Sequence, residues 1–258
     1  MLKAIKLKAI NYRDSPMKKV FLIMSALFSV SSFAEQCDIN PQVLKATYTI
    51  INKAPQALKN NKENSQTLTL WRNEQQVAHQ SQVITELWQH TSNNQIRPIR
   101  YFNAQQRGIE YQPSEVQGVQ NWSAKVQLVD NHLIEKMTLV STEGEGCNEI
   151  KNYSLEEHNS QYNLAFFTHS KLVKTFSISN LANKASMSLS LDAVQNDTPA
   201  IKAQFVKWDN FQTTDYADIG DNESDPFLAK MINLGFIEHG ATGFYNPQGE
   251  AIQGGHHH

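Results

Sequence analysis

Six aromatic residues between positions 71 and 122 are the first candidates for contact with a ligand. Aromatic rings carry large apolar surfaces, and pockets for small molecules are lined mainly by apolar and aromatic side chains. Two interpretations are open: an ordinary hydrophobic core, or a concave cavity that holds an apolar molecule. The six residues are Trp71, Trp88, Tyr101, Phe102, Tyr111 and Trp122.

Four histidines near the C-terminus could form a metal site. His239, His256, His257 and His258 carry imidazole nitrogens, which in the neutral form suit Cu, Ni or Zn. The terminal triplet has a second interpretation, as a shortened purification tag or a polar tail without function. The other five histidines of the chain are scattered and show no spacing typical of metal ligands.

The segment 215–225 concentrates five carboxylates and is a further candidate for cation binding. Asp221, Glu223 and Asp225 stand at alternate positions, as the oxygen ligands of calcium loops do. However, Pro226 occupies the place where such a loop needs glycine, and no glutamate follows at the required distance. The alternative is a solvated acidic loop at the start of a helix, where the helix dipole favours negative charge.

The common catalytic and nucleotide-binding motifs are absent from the sequence. It contains no G-x-S-x-G, no H-E-x-x-H, no Walker loop and no dinucleotide fingerprint. The sequence therefore favours a protein that is not an enzyme, and a secreted hydrolase with an unrecognised site is the weaker alternative.

Residues 17–34 have the organisation of a cleavable signal peptide. Two lysines follow Met17, an apolar run of about 11 residues comes next, and Ser32-Phe33-Ala34 supplies small residues for cleavage before Glu35. We therefore expect a periplasmic protein. Residues 1–16 are explained by a start site placed too early or by a long basic leader. No later segment is apolar over the roughly 20 residues that a spanning helix needs.

The mature chain is net negative, which disfavours polyanionic partners. Residues 1–34 hold six of the 23 basic residues and one of the 25 acidic residues. The remaining 224 residues thus carry 17 basic and 24 acidic groups, a net charge of about −7. Nucleic acids and anionic membrane surfaces attract clustered Lys and Arg, so the sequence predicts neither partner.

The mature chain contains two cysteines, Cys37 and Cys147. An exported protein folds in an oxidising compartment, so a disulfide between them is expected. The alternative is a pair of metal-binding or redox thiols, although the close C-x-x-C spacing of such sites is absent.

Alternation of apolar and polar residues through positions 44–192 predicts antiparallel strands with one solvated face. Turn residues between these runs, at 73–74, 92–94, 103–104 and 130–131, predict a meander of hairpins. The polar stretch 53–66 is expected to form a loop or short helix. The alternating apolar residues are Leu44, Ala46, Tyr48 and Ile50; Leu68 and Leu70; Val126 and Leu128; and Met187, Leu189 and Leu191.

One helix is predicted near the C-terminus. A cap signal at Ser224-Asp225 precedes Pro226, and Phe227, Met231 and Leu234 follow at helical spacing. The chain thus divides into an N-terminal extension with the signal peptide (1–34), a β-rich domain (35–214), and an appendage (215–258). The appendage comprises the acidic loop, the helix and a flexible tail that ends in histidines.

Four short segments with aromatic residues succeed one another after the export signal. They are Leu-Thr-Leu-Trp-Arg (68–72), Thr-Glu-Leu-Trp (85–88), Ile-Arg-Tyr-Phe (99–102) and Arg-Gly-Ile-Glu-Tyr-Gln-Pro (107–113). This rhythm of strands resembles the LolA-like envelope proteins over residues 44–192. The resemblance implies a curved antiparallel half-barrel covered by helices, whose concave apolar surface binds acyl chains or lipoproteins. The acidic segment and the histidine tail have no counterpart in that pattern.

The sequence as a whole predicts an α+β protein, mainly β, in which a half-barrel-like curved antiparallel sheet carries a C-terminal helix packed on it. The expected function is non-enzymatic binding, or chaperone-like protection, of an apolar envelope ligand such as a lipid or a lipoprotein acyl chain. The alternative is a periplasmic metal-binding accessory protein that uses the acidic loop and the four histidines for Cu, Ni or Zn. No other cofactor is expected.

Overall fold

The computed structural model describes residues 37–55, 63–116, 120–222 and 224–235, together with the backbone of 244–245 and 251–252. The predicted signal peptide, Glu223, His239 and the terminal histidines lie outside these residues. Twelve strands form one sheet. They are β1 (Val43–Lys53), β2 (Glu63–Asn73), β3 (Gln76–Gln80), β4 (Ile84–His90), β5 (Ile96–Phe102), β6 (Arg107–Glu110), β7 (Thr138–Glu143), β8 (Ile150–Glu157), β9 (Ser160–Phe167), β10 (Leu172–Asn180), β11 (Ser186–Gln195) and β12 (Gln212–Asp215).

Within the described residues, four α-helices accompany the sheet: α1 (Trp122–Gln127), α2 (Asn131–Lys136), α3 (Thr198–Asp209) and α4 (Pro226–Asn233). A separate two-stranded hairpin joins β13 (Phe244–Tyr245) to β14 (Ala251–Ile252). None of the described helices is long and apolar enough to cross a membrane.

The sheet consists of two antiparallel meanders placed side by side. Strands β1 to β6 form the first, β7 to β11 form the second, and β1 pairs with β11 where the two meet. After β6 the chain passes through α1 and α2 to β7, at the far edge of the same sheet. Strand β12 adds to β6 in parallel, so the sheet is mixed. The predicted curved, mainly antiparallel sheet of an α+β protein is confirmed, with this parallel edge strand as an addition.

The two faces of the sheet differ in chemistry because successive residues of a strand point in opposite directions. We call the face that carries the opposed pair Tyr48 and Leu68 the inner face. The other, outer face carries the opposed pair Thr47 and Thr69. In β1, β2 and β11 the predicted alternation is confirmed, and its apolar residues share the inner face.

Helices cover both faces. On the inner face, α1 and α2 pack on the central strands, and α4 packs near β4 to β6 by burying Leu228 and Met231. On the outer face, α3 buries Ile201, Phe205 and Trp208 against residues of β1 to β5. Full burial of one large apolar side chain contributes about 1.5–3 kcal/mol, so each helix is held mainly by this packing.

The predicted C-terminal helix is confirmed, with Asp225 as its cap. Asp225 Oδ1 accepts a hydrogen bond from the Phe227 backbone N–H at 2.8 Å, and Pro226 occupies the first turn. Asp225 also pairs with Arg107 of β6 at 2.8 Å. The hydrogen bonds from Arg107 and Phe227 lower the pKa of Asp225 below its usual value. This carboxylate of the acidic segment therefore anchors a helix to the sheet.

The strand predicted around Val126 and Leu128 is wrong, because these residues belong to α1 and its end. Asn121 caps this helix by accepting a hydrogen bond from the Ser123 backbone at 3.0 Å. Leu128 ends it with a left-handed backbone, at φ 64°. Four alternating residues fit a short helix as well as a strand. The hairpin turn predicted at 130–131 is likewise the start of α2, capped by Asp130.

The disulfide predicted between Cys37 and Cys147 is confirmed. It links the start of the described chain to the short segment between β7 and β8, across 110 residues of sequence.

Candidate functional site

Four apolar side chains form a continuous row across the inner face of the second meander. Leu155 of β8 opposes Tyr162 of β9, Tyr162 opposes Ile178 of β10, and Ile178 opposes Met187 of β11. Directly opposed residues project from the same face, so the four side chains stand next to one another. All four are only half-buried. We call this set the apolar row.

The adjoining row of the same face is buried. Leu164, Phe176 and Leu189 oppose one another one step further along the strands, and each is at most 7% exposed. The two rows differ in exposure, so the inner face changes from a closed core to a partly uncovered apolar surface. The apolar row lies at that transition.

The outer face of the same strands is polar. Ser154, Asn163, Ser177 and Ser188 stand on it, and Ser154 Oγ donates a hydrogen bond to Asn163 Oδ1 at 3.4 Å. A sheet region with one polar and one apolar face normally buries the apolar face against another layer. Among the described residues, the layer that covers the apolar row is incomplete.

Towards the edge strand β7 the adjoining row also becomes uncovered, because Tyr153, which opposes Leu164, is half-buried. Leu139 opposes Tyr153 on the inner face and is 49% exposed, and its neighbour Val140 is 66% exposed. Large apolar residues with such exposure, next to further half-buried ones, are typical of an interaction surface.

The six aromatic residues predicted to contact ligand do not share one surface. Trp71 and Tyr101 lie on the outer face, where their rings contact Trp208 of α3 at 5.6 and 6.4 Å. Phe102 and Tyr111 are buried beneath α4, and Trp88 is buried in the inner face. Trp122 of α1 is half-buried and stacks on His90 at 4.9 Å. Ligand contact by any of the six stays a prediction.

Sequence reasoning missed the apolar row except for Met187. The available signal was a pair of adjacent strands, Tyr153-Ser154-Leu155 and Tyr162-Asn163-Leu164, in which bulky apolar and polar residues alternate. Most of the aromatic residues that were predicted to contact a ligand lie in the first meander instead. There α3 covers Trp71 and Tyr101, and α4 covers Phe102 and Tyr111.

A polar cluster is buried in the inner face of the first meander. Arg100 pairs with Glu86 at 2.7 Å, and His79 Nε2 donates to the Lys125 carbonyl oxygen at 2.7 Å. Burial lowers the pKa of His79 from 6.5 to about 3, so its imidazole is neutral. Burial also lowers the pKa of Lys125, whose ammonium lies 4.3 Å from the centre of the Trp88 ring. This cluster joins α1 to the sheet.

An open cleft of about 590 Å³ lies beside α1 and α2. Arg72 stands in its wall, is 2% exposed, and donates to the carbonyl oxygens of Val126 (2.8 Å), Pro41 (3.0 Å), Ser170 (2.7 Å) and Lys171 (2.5 Å). Burial lowers the pKa of Arg72 from 12.5 to about 10, so it remains a cation at neutral pH. Arg72 thereby fixes the position of the cleft walls.

The described residues contain no group of three histidine, cysteine or acidic side chains that could hold a metal. His239, His256, His257 and His258 lie outside the described residues, so the metal site predicted there stays a prediction.

Comparison with known proteins gives structural similarity alone. No protein-family model matches the sequence, and no curated protein matches it. Solved structures that resemble the chain include a domain described as an outer membrane lipoprotein-sorting protein from Vibrio parahaemolyticus. It is 10% identical with a TM-score of 0.31, over 66% of this chain and 93% of that one.

A second similar structure is PNGF-II, with 12% identity and a TM-score of 0.33, over 70% of this chain and 32% of that chain. A third is the Pseudomonas aeruginosa MucA/MucB complex, with 9% identity and a TM-score of 0.29, over 60% of this chain and 52% of that chain. The lipoprotein-sorting class that the strand rhythm resembles is thus among the similar folds. Structural similarity at this level does not indicate a function. The function has to be inferred from the surfaces of this chain.

Proposed function

We propose that this protein is a non-enzymatic binding protein of the periplasm that holds an apolar ligand, such as a lipid or lipoprotein acyl chain, on its inner face. The observation that carries the proposal is the apolar row, formed by Leu155, Tyr162, Ile178 and Met187. These side chains are half-buried, whereas the next row of the same face belongs to the closed core.

The energetics of this surface support reversible binding. Burial of apolar area gives about 25 cal/mol per Å², so an acyl chain laid across four large side chains would gain several kcal/mol. The position of the row beside a packed core means that the surface is largely preformed, which limits the ordering cost of binding. Trp88, Tyr101, Phe102 and Tyr111 are each at most 1% exposed. Contacts to them would require the packing to open, so we place the ligand on the row.

A charge placed on either face of β11 tests this proposal. Met187 and Ser188 are neighbours on one strand and project to the inner and outer face, respectively. Met187→Asp is expected to weaken binding of a fluorescent fatty acid at least about tenfold, because an acyl chain cannot solvate a carboxylate. Ser188→Asp is the matched control, and it should change the affinity less than about twofold.

The same comparison on β10 uses Ile178→Asp and Ser179→Asp, which oppose Met187 and Ser186 of β11. A neutral probe, N-phenylnaphthylamine, should report the same order of affinities and separates apolar binding from recognition of a carboxylate. Thermal unfolding of each variant distinguishes lost binding from lost folding. Equal affinities of the inner-face and outer-face variants, or no binding by the unaltered protein, would refute the proposal.

Export is the second part of the proposal and rests on the organisation of residues 17–34. N-terminal sequencing of protein released by osmotic shock is expected to begin at Glu35. Protein that stays in the cytoplasm with its whole N-terminus would contradict periplasmic location, whatever the outcome of the binding experiments.

A further inference from the structure

The open cleft beside α1 and α2 is a site separate from the apolar row. It has a volume of about 590 Å³, which lies within the usual range of small-molecule pockets. Lys171, in the turn between β9 and β10, borders the cleft. Ile178 of the apolar row lies on β10 near the opposite end of that strand. The inference drawn from this cleft does not depend on the proposed function.

One wall of the cleft is an immobilised aromatic ring. Trp122 stacks on His90 with a centroid distance of 4.9 Å and an interplanar angle of 17°, and it packs against the core of the inner face. Val77 and Val126 add apolar surface beside it. A rigid ring of this kind offers an apolar platform without a large loss of side-chain freedom on binding.

Polar groups with unused hydrogen-bonding capacity surround that platform. Gln42, Asp130 and Asn131 line the cleft, and their polar atoms include the Gln42 side-chain amide, Asp130 Oδ2 and Asn131 Nδ2. Within the part of the chain that the structure describes, none of the three has a hydrogen-bond partner. The partners already made hold Asn131 and Asp130 in place: Gln127 Nε2 donates to Asn131 Oδ1 at 2.5 Å, and Asp130 Oδ1 accepts from the His132 N–H at 2.9 Å. The cleft therefore presents both donors and acceptors in fixed positions.

The charges of the cleft disfavour an anion. The guanidinium of Arg72 donates to four backbone carbonyl oxygens, which surround it with negative partial charge. Three carboxylates, those of Glu74, Asp130 and Glu135, also line the cleft and outnumber its one ammonium, that of Lys171. A phosphate or carboxylate ligand would meet these groups at close range, and like charges repel. A purely apolar ligand would leave the polar lining without partners.

We propose that the cleft binds a neutral carbohydrate. A sugar ring has an apolar face of C–H groups that can pack on the Trp122 indole, and its hydroxyl groups both donate and accept hydrogen bonds. Gln42, Asp130 and Asn131 supply the complementary groups around that ring. The volume accommodates a short oligosaccharide end, with further sugar units extending into solvent through the open side.

Binding is tested on the mature protein with an array of neutral oligosaccharides, followed by calorimetric titration of the best glycan. We expect a dissociation constant between about 1 mM and 1 µM. Trp122→Ala should weaken binding at least about tenfold, and Trp122→Phe should weaken it less, because a ring remains.

Gln42→Ala is the sharper variant, because its exposed side chain has no partner to lose within the described residues. It should weaken binding about threefold to tenfold without lowering the unfolding temperature. Gln105→Ala, in the exposed turn between β5 and β6, is the control and should leave the affinity unchanged.

Three results would overturn the proposal. They are no glycan binding at about 10 mM, a glycan affinity unaffected by both Trp122→Ala and Gln42→Ala, or a cleft that binds spermidine or inorganic phosphate in place of glycans. The affinity for fatty acid probes is measured in parallel. Loss of glycan binding in Gln42→Ala with normal fatty acid binding would show that the two sites are independent.

Discussion

Arg100 and Glu86 form an ion pair that is enclosed in the inner face of the sheet. Arg100 Nη2 and Nε donate to the same Glu86 oxygen at 2.7 and 3.1 Å, and the two side chains are 0% and 4% exposed. They stand opposite each other on β4 and β5. A buried charge is tolerated when it is paired and hydrogen-bonded, so each side chain of this pair fixes the other.

Loss of the Glu86 charge should destabilise the protein strongly. Glu86→Gln removes the carboxylate that pairs with the buried guanidinium, and the expected cost is about 3–5 kcal/mol in the free energy of unfolding. Urea unfolding at neutral pH measures this quantity.

The exposed pair of Glu74 and Lys202, at 3.4 Å, provides the control. Glu74→Gln is expected to cost less than about 1 kcal/mol because water already solvates both groups. The double variant Glu86→Gln/Arg100→Met should be more stable than Glu86→Gln alone, since it also removes the buried positive charge. A cost below about 1 kcal/mol for Glu86→Gln would mean that the pair does not stabilise this region.

Removal of the disulfide should lower stability through the unfolded chain. The bond between Cys37 and Cys147 closes a loop that spans 110 residues of sequence. Loop closure of this length corresponds to about 4–5 kcal/mol in the chain-entropy model, and about 2–4 kcal/mol is typical. Cys37→Ser, Cys147→Ser and the double variant should therefore lose similar amounts, because each removes the same bond.

Thermal unfolding with and without reductant measures this effect. Reductant should lower the unfolding temperature of the unaltered protein and leave that of the double variant unchanged. Thiol labelling of the unfolded, unreduced protein should find no free thiol. An unfolding temperature that is insensitive to reductant in the unaltered protein would contradict the prediction.

Much of the sheet was predictable because its strands follow simple alternation. Leu44 to Ile50 and Met187 to Leu191 each repeat the pattern over several residues, and both form strands with that face inward. The pairing of β1 with β11 was not predictable, because it joins segments about 140 residues apart and no local signal specifies such a partner.

Helix α3 was missed although it carries recognisable signals. Asp197 caps it, Pro199 stands in its first turn, and Ile201, Phe205 and Trp208 follow at helical spacing. Because α3 covers the outer face of the sheet, Trp71 and Tyr101 contact this helix. Because a strand pattern shows which residues share a face and not what covers that face, the ligand surface could not be located from aromatic residues alone.

Acidification should destabilise the protein through His79. Its pKa is lowered from 6.5 to about 3 by burial, so the folded state keeps the imidazole neutral in this range. The unfolded chain takes up a proton below about pH 6.5, so the free energy of unfolding falls as the pH decreases from about 6.5 towards 3. Between pH 6.5 and 5 this contribution is on the order of 1.5 kcal/mol.

Urea unfolding of the unaltered protein and of His79→Gln at pH 6.5 and 5 isolates this effect. The variant should lose less stability on acidification than the unaltered protein, whatever its stability at pH 6.5. His132→Gln, which replaces an exposed histidine of α2, should keep the pH dependence of the unaltered protein. The same dependence in all three proteins would show that His79 does not govern it.

The turn between β8 and β9 should tolerate, and benefit from, residues that prefer left-handed backbone conformations. His158 and Asn159 form a two-residue turn between the opposed residues Glu157 and Ser160, with φ of 49° and 60°. Such turns favour Asn followed by Gly, because a β-carbon is strained at positive φ. The double variant His158→Asn/Asn159→Gly should therefore stabilise the protein by about 0.5–1 kcal/mol, as measured by urea unfolding.

Ser160→Gly, one residue further on in β9, should instead be destabilising, because glycine weakens a strand. The turn lies next to Leu155 and Tyr162, so unchanged fatty acid affinity in the double variant would separate hairpin stability from ligand binding. A loss of stability in the double variant would show that the side chain of His158 or Asn159 contributes more than the turn conformation costs.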